Sequence, residues 1–536
     1  MRRVVLFLCL GGALLATASL AAAQARPEPV TRLGDWVEVG PEVFMNIIQT
    51  NTIRYKTTHN YDFEDDLRDT VFLADNTQSL LHFGPGDFFW AEVRFGVDFR
   101  YQKNLTARVL LESEAVFDGN LIDDRIGRTV PPAGQPTPAG TDPDEDTGPH
   151  VERFWIRYQF PGTPITMLVG AHLWFHDAAG VVADDDPGIF FWANLGPQKE
   201  WELKVAAIIQ GEATRFGLTN DNDNVYYLGT IAYNRRPFRA ALDMMYQRLR
   251  DNFGNSGLRG SHFDYFLFMP NLTGTVGPVS FLLQPMVGVG SADGAVTDPA
   301  TGARREFDIF NWGVIAQAEV NLGLVRPVVG LILGSGDDDA TDTDLNGFNN
   351  FAHNDIGLTG FTRFFNFQDG PVFNDWGPSP ARSPLATFGY HTIYNIWNDR
   401  LGNLGHGADI TNALSNPGTL VIPVGLKIFP LKGHQLNLWY AYLAMLETET
   451  VEAEAAIRGL TFADGELDEA LLHEIGLTWI WTLSPHFDIN VRGIIDIPAE
   501  GSKDIASTVV CDAATGARCQ GEDPLLLAQI QFRSRF

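Results

Sequence analysis

Residues 525–536 read LLLAQIQFRSRF. Leu526, Ala528, Ile530, Phe532 and Phe536 fall on one side of an extended chain, Gln529, Gln531, Arg533 and Arg535 on the other, and Ser534 is the one small break. Successive side chains of a strand point to opposite faces, so period-two alternation marks a strand with two unlike environments. The pattern recurs upstream. From Phe487, the apolar Ile489, Val491, Ile495 and Ile497 oppose Asp488, Asn490, Arg492 and Asp496. Nearer the N-terminus, Ala91, Val93, Phe95, Val97, Phe99 and Tyr101 oppose Glu92, Arg94, Asp98 and Arg100. Segments starting near Leu105, Val151, Glu200 and Pro237 alternate likewise, and weaker strands are read near 188–195 and 225–233.

Two kinds of connection separate these segments. Tight turns such as Lys103-Asn104, 161–164, 235–237, 431–433 and Ser484-Pro485 alternate with long Asp/Gly/Pro-rich stretches at 119–150, 250–262, 335–417, 448–468 and 499–524. That stringing predicts an all-β fold, a transmembrane antiparallel β-barrel of about eighteen strands with short periplasmic turns and long extracellular loops. A barrel of this size leaves room for an aqueous lumen. Beyond the leader no apolar run approaches the roughly 18–20 residues of a membrane helix, so strands must do the crossing.

The N-terminus has the parts of a secretory leader: Arg2-Arg3, an apolar core from Val4 to about Leu15, and Ala21-Ala22-Ala23 before the cut. The expected organisation is a cleaved signal peptide at 1–23, a short periplasmic segment at 24–42 and one barrel domain at 43–536, placed in a bacterial outer membrane. Cys9 leaves with the leader. Cys511 and Cys519 then predict a local disulfide in an oxidising compartment, the alternative being two free thiols. The formal charge of −28 disfavours nucleic acid as a partner. Expected partners are outer-membrane lipid, a small solute, and the barrel-assembly machinery through the terminal Phe536.

Parity assigns Arg94, Arg100, Arg108, Arg153, Arg157, Arg239, Arg492, Arg533 and Arg535 to the interior, with Glu112, Asp243 and Asp488 among the carboxylates that share it. Facing charges in a lumen select what passes; the alternative is that they only pair across the wall and keep it rigid. Aromatics near strand ends, such as Phe154, Tyr158, Tyr227, Tyr233, Tyr440, Tyr442, Trp479 and Trp481, fit interfacial girdles. The acidity concentrates in loops, at 184–186, Asp221, Asp223, 337–339 and Glu449 to Glu454. Within them Asp342, Asp344 and Asn346 match the first half of a calcium loop, but His353 stands where a bidentate Glu is needed. Calcium is therefore a candidate ligand of the loops and no other cofactor is expected. The longest loop, 335–417, is rich in Phe and is read as a lumen constriction, a lid, or a loop packed on its neighbours. No HExxH, CxxC, GxSxG or P-loop spacing occurs, so no catalytic residues are assigned.

The hairpin Phe95-Gly-Val-Asp-Phe-Arg-Tyr101, Lys103-Asn104, Leu105-Thr-Ala-Arg-Val-Leu-Leu-Glu112 resembles the first hairpin of the alginate-export-type outer-membrane porins. The resemblance runs diffusely over 85–536 and implies diffusion of an anionic polysaccharide or smaller sugar acid through an arginine-lined channel. The abundant inward carboxylates depart from that pattern. Three functions follow for testing: a passive, selective porin, a barrel-anchored binding protein with acidic calcium-binding loops, and an outer-membrane hydrolase. The absence of a flat patch of small residues on the lipid face favours a monomer.

Overall fold

The computed structural model describes residues 36–59, 87–118, 150–172, 174–179, 181–184, 187–211, 224–249, 262–297, 304–339, 342–348, 417–449, 451–452, 461–462, 465–507, 510–512, 517–518 and 522–535. Its main sheet is a closed antiparallel barrel of 18 strands. In chain order these are β1 (Val43–His59), β2 (Asp87–Tyr101), β3 (Leu105–Asp118), β4 (His150–Gln159), β5 (Ile165–Ala171), β6 (Pro187–Leu195), β7 (Trp201–Gly211), β8 (Asn224–Arg235) and β9 (Phe238–Leu249). They continue as β10 (His262–Val276), β11 (Val279–Thr297), β12 (Arg304–Val320), β13 (Val325–Gly334), β14 (Thr419–Ile428), β15 (His434–Ala444), β16 (Ala470–Ser484), β17 (Phe487–Pro498) and β18 (Leu525–Arg535). The ring shuts where β18 runs antiparallel to β1, with Thr50 opposite Arg535 and His59 opposite Leu526. Both weak strands of the sequence reading are present, as β6 and β8.

Alternation decides which face meets lipid. Val93, Phe95 and Phe99 on β2, Phe310 and Trp312 on β12, and Ile422, Val424 and Leu426 on β14 are exposed on the outside. So continuous an apolar surface is untenable in water and is what a hydrocarbon layer requires. The barrel therefore spans an outer membrane. Rings gather at its margins: His434 stacks on Trp481 at 5.3 Å and on Trp479 at 5.8 Å, and Tyr440 hydrogen-bonds His473 at 2.8 Å.

The short turns share one end with the start of β1 and the end of β18, which makes it the periplasmic end. There the wall is extended: Val37–Gly40 pairs with β1 beyond the point where β18 stops, with Val37 opposite Met45. At the other end, Asp344–Leu345 pairs in parallel with Asp308 and Ile309 of β12. A short helix, α1 (Glu500–Ser507), is tied to the top of β16 by the Ser502 hydroxyl, which donates to the Leu471 carbonyl. Beyond α1, Val510–Asp512 pairs with Ala517–Arg518, but Cys519, and with it the expected disulfide to Cys511, lies outside the described residues. So do the expected leader at 1–23 and Phe536.

One glycine is required by packing. The Trp439 indole lies across Gly476 and donates to Glu474 Oε1 at 2.7 Å, and a Cβ at 476 would come within 1.9 Å of the ring. Gly476→Ala is expected to displace the indole and destabilise the barrel by about 1–3 kcal/mol. Urea unfolding of refolded protein, followed by heat-modifiable migration, measures this, and an unchanged midpoint would refute it.

Candidate functional site: a charged arc facing an infolded loop

The inward residues fall into two unlike groups. On β17, β18 and β1–β4 most are charged or amide-bearing, with Ile494, Leu110 and Phe44 as apolar exceptions. Arg108 grips Asp98 with two bonds, of 2.7 and 2.9 Å, as cross-strand neighbours on β2 and β3. Arg533 donates twice to Asp488, at 3.2 and 2.7 Å, and Arg535 adds a longer contact of 3.5 Å. Arg94 lies 2.8 Å from Glu112, 3.2 Å from Glu92 and 3.5 Å from Glu152. Glu152 in turn meets Arg153 at 3.2 Å.

Strict parity sends Glu152 outward. The register between β3 and β4 slips there, Leu110 facing Arg153 while Leu111 faces Val151, and the bulge turns both Glu152 and Arg153 toward the arginine cluster. Two adjacent charges between alternating apolar residues were the available sign. The remaining sequence-selected arginines have separate settings. Arg100 is clamped between the rings of Trp36 and Phe44, 4.5 and 4.8 Å from their centroids. Arg157 is exposed on the inner side of β4, and Arg492 is buried on β17. Arg239 donates to Asn271 at 3.0 Å, and Asn271 donates to Asp243 at 2.7 Å, so these sit together on β9 and β10, away from the other clusters. A further cluster was not singled out from sequence: Glu319 holds Lys427 at 2.6 Å and Arg326 at 3.2 Å, and Arg326 lies 4.7 Å over Phe429.

The opposite wall is dry. Between β5 and β6 the chain turns inward, and Trp174–Phe175 pairs with Ala183–Asp184 as a small hairpin inside the barrel. Trp174, Ala179, Val181 and Val182 are buried in one apolar cluster with Ile208, Tyr226, Met245, Leu267 and Met286 from the wall. The turn is permitted by Gly170, whose φ of 123° no larger residue favours and where a Cβ would fall 2.1 Å from the Phe154 carbonyl oxygen. Asp177 latches the hairpin. Its carboxylate accepts the backbone N–H groups of Ala179, Val181 and Val182 at 2.9, 3.1 and 2.8 Å and the side-chain amide of Gln284 on β11 at 2.7 Å. Gln284 also accepts the Ala179 N–H at 3.0 Å.

The segment read as a constriction, a lid or a loop packed on its neighbours is 335–417, whereas the infolding seen among the described residues is at 174–184. Most of the longer loop lies outside the described residues, although Leu345 and Phe348 near its start join the same apolar cluster. An apolar run, Ala178-Ala-Gly-Val-Val182, inside a stretch otherwise read as acidic loop was the overlooked signal. In the half calcium motif, Asp342 Oδ1 accepts the Asp344 N–H at 2.8 Å while Asp344 itself is extended and paired to β12. Among the described residues no three His, Cys, Asp or Glu side chains are gathered as a metal site.

Burial separates the structural pairs from the superficial ones. Asp488→Asn leaves the largely buried Arg533 without its counter-charge and is expected to lower stability by about 3–5 kcal/mol. Glu500→Gln, at the exposed pair with Lys503, is expected to change it by under about 1 kcal/mol. Equal unfolding midpoints for the two variants would refute the assignment.

No protein-family model matches the chain, and no curated protein matches it. Solved structures do. It is similar to the vanillate complex of OpdK from Pseudomonas aeruginosa, at 10% identity over 91% of this chain and 98% of that one, with a TM-score of 0.42. It is similar to OccAB2 of Acinetobacter baumannii, at 9% identity over 91% and 97% with a TM-score of 0.47, and to a BenF-like porin of Pseudomonas fluorescens Pf-5, at 10% over 92% and 99% with a TM-score of 0.43. Such likeness concerns the fold alone. It corrects the expected kinship with alginate-export-type porins: the structures matched are OpdK, OccK and BenF-like barrels, and the 95–112 hairpin that carried the resemblance is ordinary barrel-wall alternation.

Proposed function

We propose that the chain is a passive outer-membrane channel, not an enzyme, and that its path runs along the charged arc and favours small carboxylate-bearing solutes such as sugar acids. One observation carries this reading. The side chains of Arg94, Arg108 and Arg535 are 32%, 29% and 39% exposed, whereas their partners Glu112, Asp98 and Asp488 are 4%, 9% and 4% exposed. Each carboxylate lies behind the guanidinium that it holds. A solute in the lumen therefore meets the N–H edges of arginines, which match a carboxylate in geometry and charge. Total charge misleads here. The Arg94 cluster has three carboxylates to two guanidinium groups, yet Glu92, Glu112 and Glu152 are all largely buried.

The infolded hairpin supports the same path, since it is buried with the apolar inner residues of β7–β11 and not with the arc. Planar bilayers test both parts of the proposal. Wild-type protein is expected to give ohmic single-channel steps with a reversal potential of anion sign in a salt gradient. Combined Arg94, Arg108 and Arg535→Ala substitution is expected to shift that potential toward cations while channels still form. Absence of steps would sink the channel, and cation preference in the wild type would sink the solute class.

A further inference from the structure

Beside the Asp177 latch lies a histidine that the conducting path does not use. His176 is 7% exposed, and its Nε2 is 2.8 Å from the Met244 carbonyl oxygen on β9, so that nitrogen carries the proton. Three charged groups act on the ring: Asp177 of its own hairpin, Asp243 on β9 and Lys204 on β7. Neither carboxylate stands unoccupied. Asp177 is engaged by the hairpin backbone and Gln284, and Asp243 accepts the Thr230 hydroxyl at 2.5 Å and the Asn271 amide at 2.7 Å. Burial holds the imidazole below its ordinary range, outweighing the attraction of the two carboxylates.

We propose that protonation of His176 frees the infolded hairpin from the wall, so that acid widens the channel. The proposal rests on the channel reading and names the regulation of the same path. An imidazolium has a second N–H to donate and a charge to neutralise. Either it draws Asp177 away from the backbone of the hairpin, or it stays buried without adequate compensation; both weaken the latch. In a released hairpin the ring returns to an ordinary value of about 6.5. The packed state binds the proton less readily than the released one, so packing is fully stable above about pH 6.5 and weakens as the pH falls below it.

Two measurements at pH 8 and about pH 4.5 test this, single-channel conductance in planar bilayers and hydrogen exchange of the Ala179, Val181 and Val182 amides in nanodiscs. The chains are wild type, His176→Asn, which keeps a polar side chain but does not titrate, and Asp177→Ala, which removes the latch. In acid the wild type is expected to gain conductance by about 2-fold and to lose about 10-fold in amide protection after correction for intrinsic exchange. His176→Asn is expected to do neither, and Asp177→Ala to be wide at both pH values. Unchanged wild-type protection, or an equal response in His176→Asn, overturns the proposal whether or not Asp177→Ala folds. Loss of protection in a chain that conducts at neither pH supports the latch and overturns the channel instead.

Discussion

Everything in this molecule depends on the pairing of β18 with β1. In hydrocarbon a backbone N–H or C=O has no partner but another backbone group, so a sheet edge left open would cost several kcal/mol at every unpaired position. The continuous register from Thr50–Arg535 to His59–Leu526 removes that edge. Closure also turns sequence alternation into geometry. Once the ring is shut, each strand has a lipid side and an enclosed side, and a one-residue slip anywhere would exchange them. Ion pairs such as Arg108–Asp98 and Arg533–Asp488, which join adjacent strands directly across the ladder, act on the same register from the inner face. The charged interior is thus part of what fixes the wall as well as what a solute meets.

Enclosure does not by itself make a uniform pore. The inner faces of β7–β13 carry Ile208, Tyr226, Met245, Leu267, Ile315 and Ile332, which water would solvate poorly and which are buried in one apolar cluster with residues of the hairpin 174–184 and with Leu345 and Phe348. The polar groups that anchor the hairpin are few and well satisfied. Asp177 takes four donors, three backbone N–H groups and the Gln284 amide. Among the described residues the barrel thus has a largely apolar inner side, on which a loop with a local hold on the wall is packed, and a charged one.

How much of this is legible in the sequence follows from the same division. Strands on the wet side alternate strongly, because lipid and water differ on their two faces: β2, β17 and β18 can be read residue by residue. Strands lined by the inner apolar cluster have apolar neighbours on both faces. In β13, Val328 and Ile332 point inward while Val329 and Leu331 point outward, and β14 behaves alike with Val421 and Val424, so the period-two signal fades. Arg326 and Lys427 stand near the periplasmic ends of those two strands and were hidden with them. Glu152 was hidden for another reason: a bulge reverses parity, and its one sign in the sequence is the adjacent pair of charges Glu152-Arg153. The hairpin itself was lost because connections are read by their polarity. Its flanking Asp184–Asp186 drew attention away from five small apolar residues with no reason to face water.

The imbalance of charge looks different once position is considered. A net −28 suggests a cation-collecting protein, yet the carboxylates are of two kinds. Those on the extracellular side, such as Glu447, lie among other acids: burial together with Glu449, Asp338 and Glu469 pushes its carboxyl above the usual range. In the wall, Glu112, Asp98 and Asp488 each hold an arginine whose side chain is more exposed than the carboxylate, whereas Asp243 and Glu474 are held by neutral donors. Coulomb interactions fall with distance and are screened within about 10 Å at ordinary salt, so a solute in the channel responds to the nearest exposed groups rather than to the total. An acidic mouth above an arginine-edged path admits an anion only if the two regions lie more than a screening length apart or if the solute also carries positive charge. On the path proposed above, the arrangement disfavours long polyanions, whose many charges would occupy both regions at once, and favours short solutes that leave the mouth before they bind the arc.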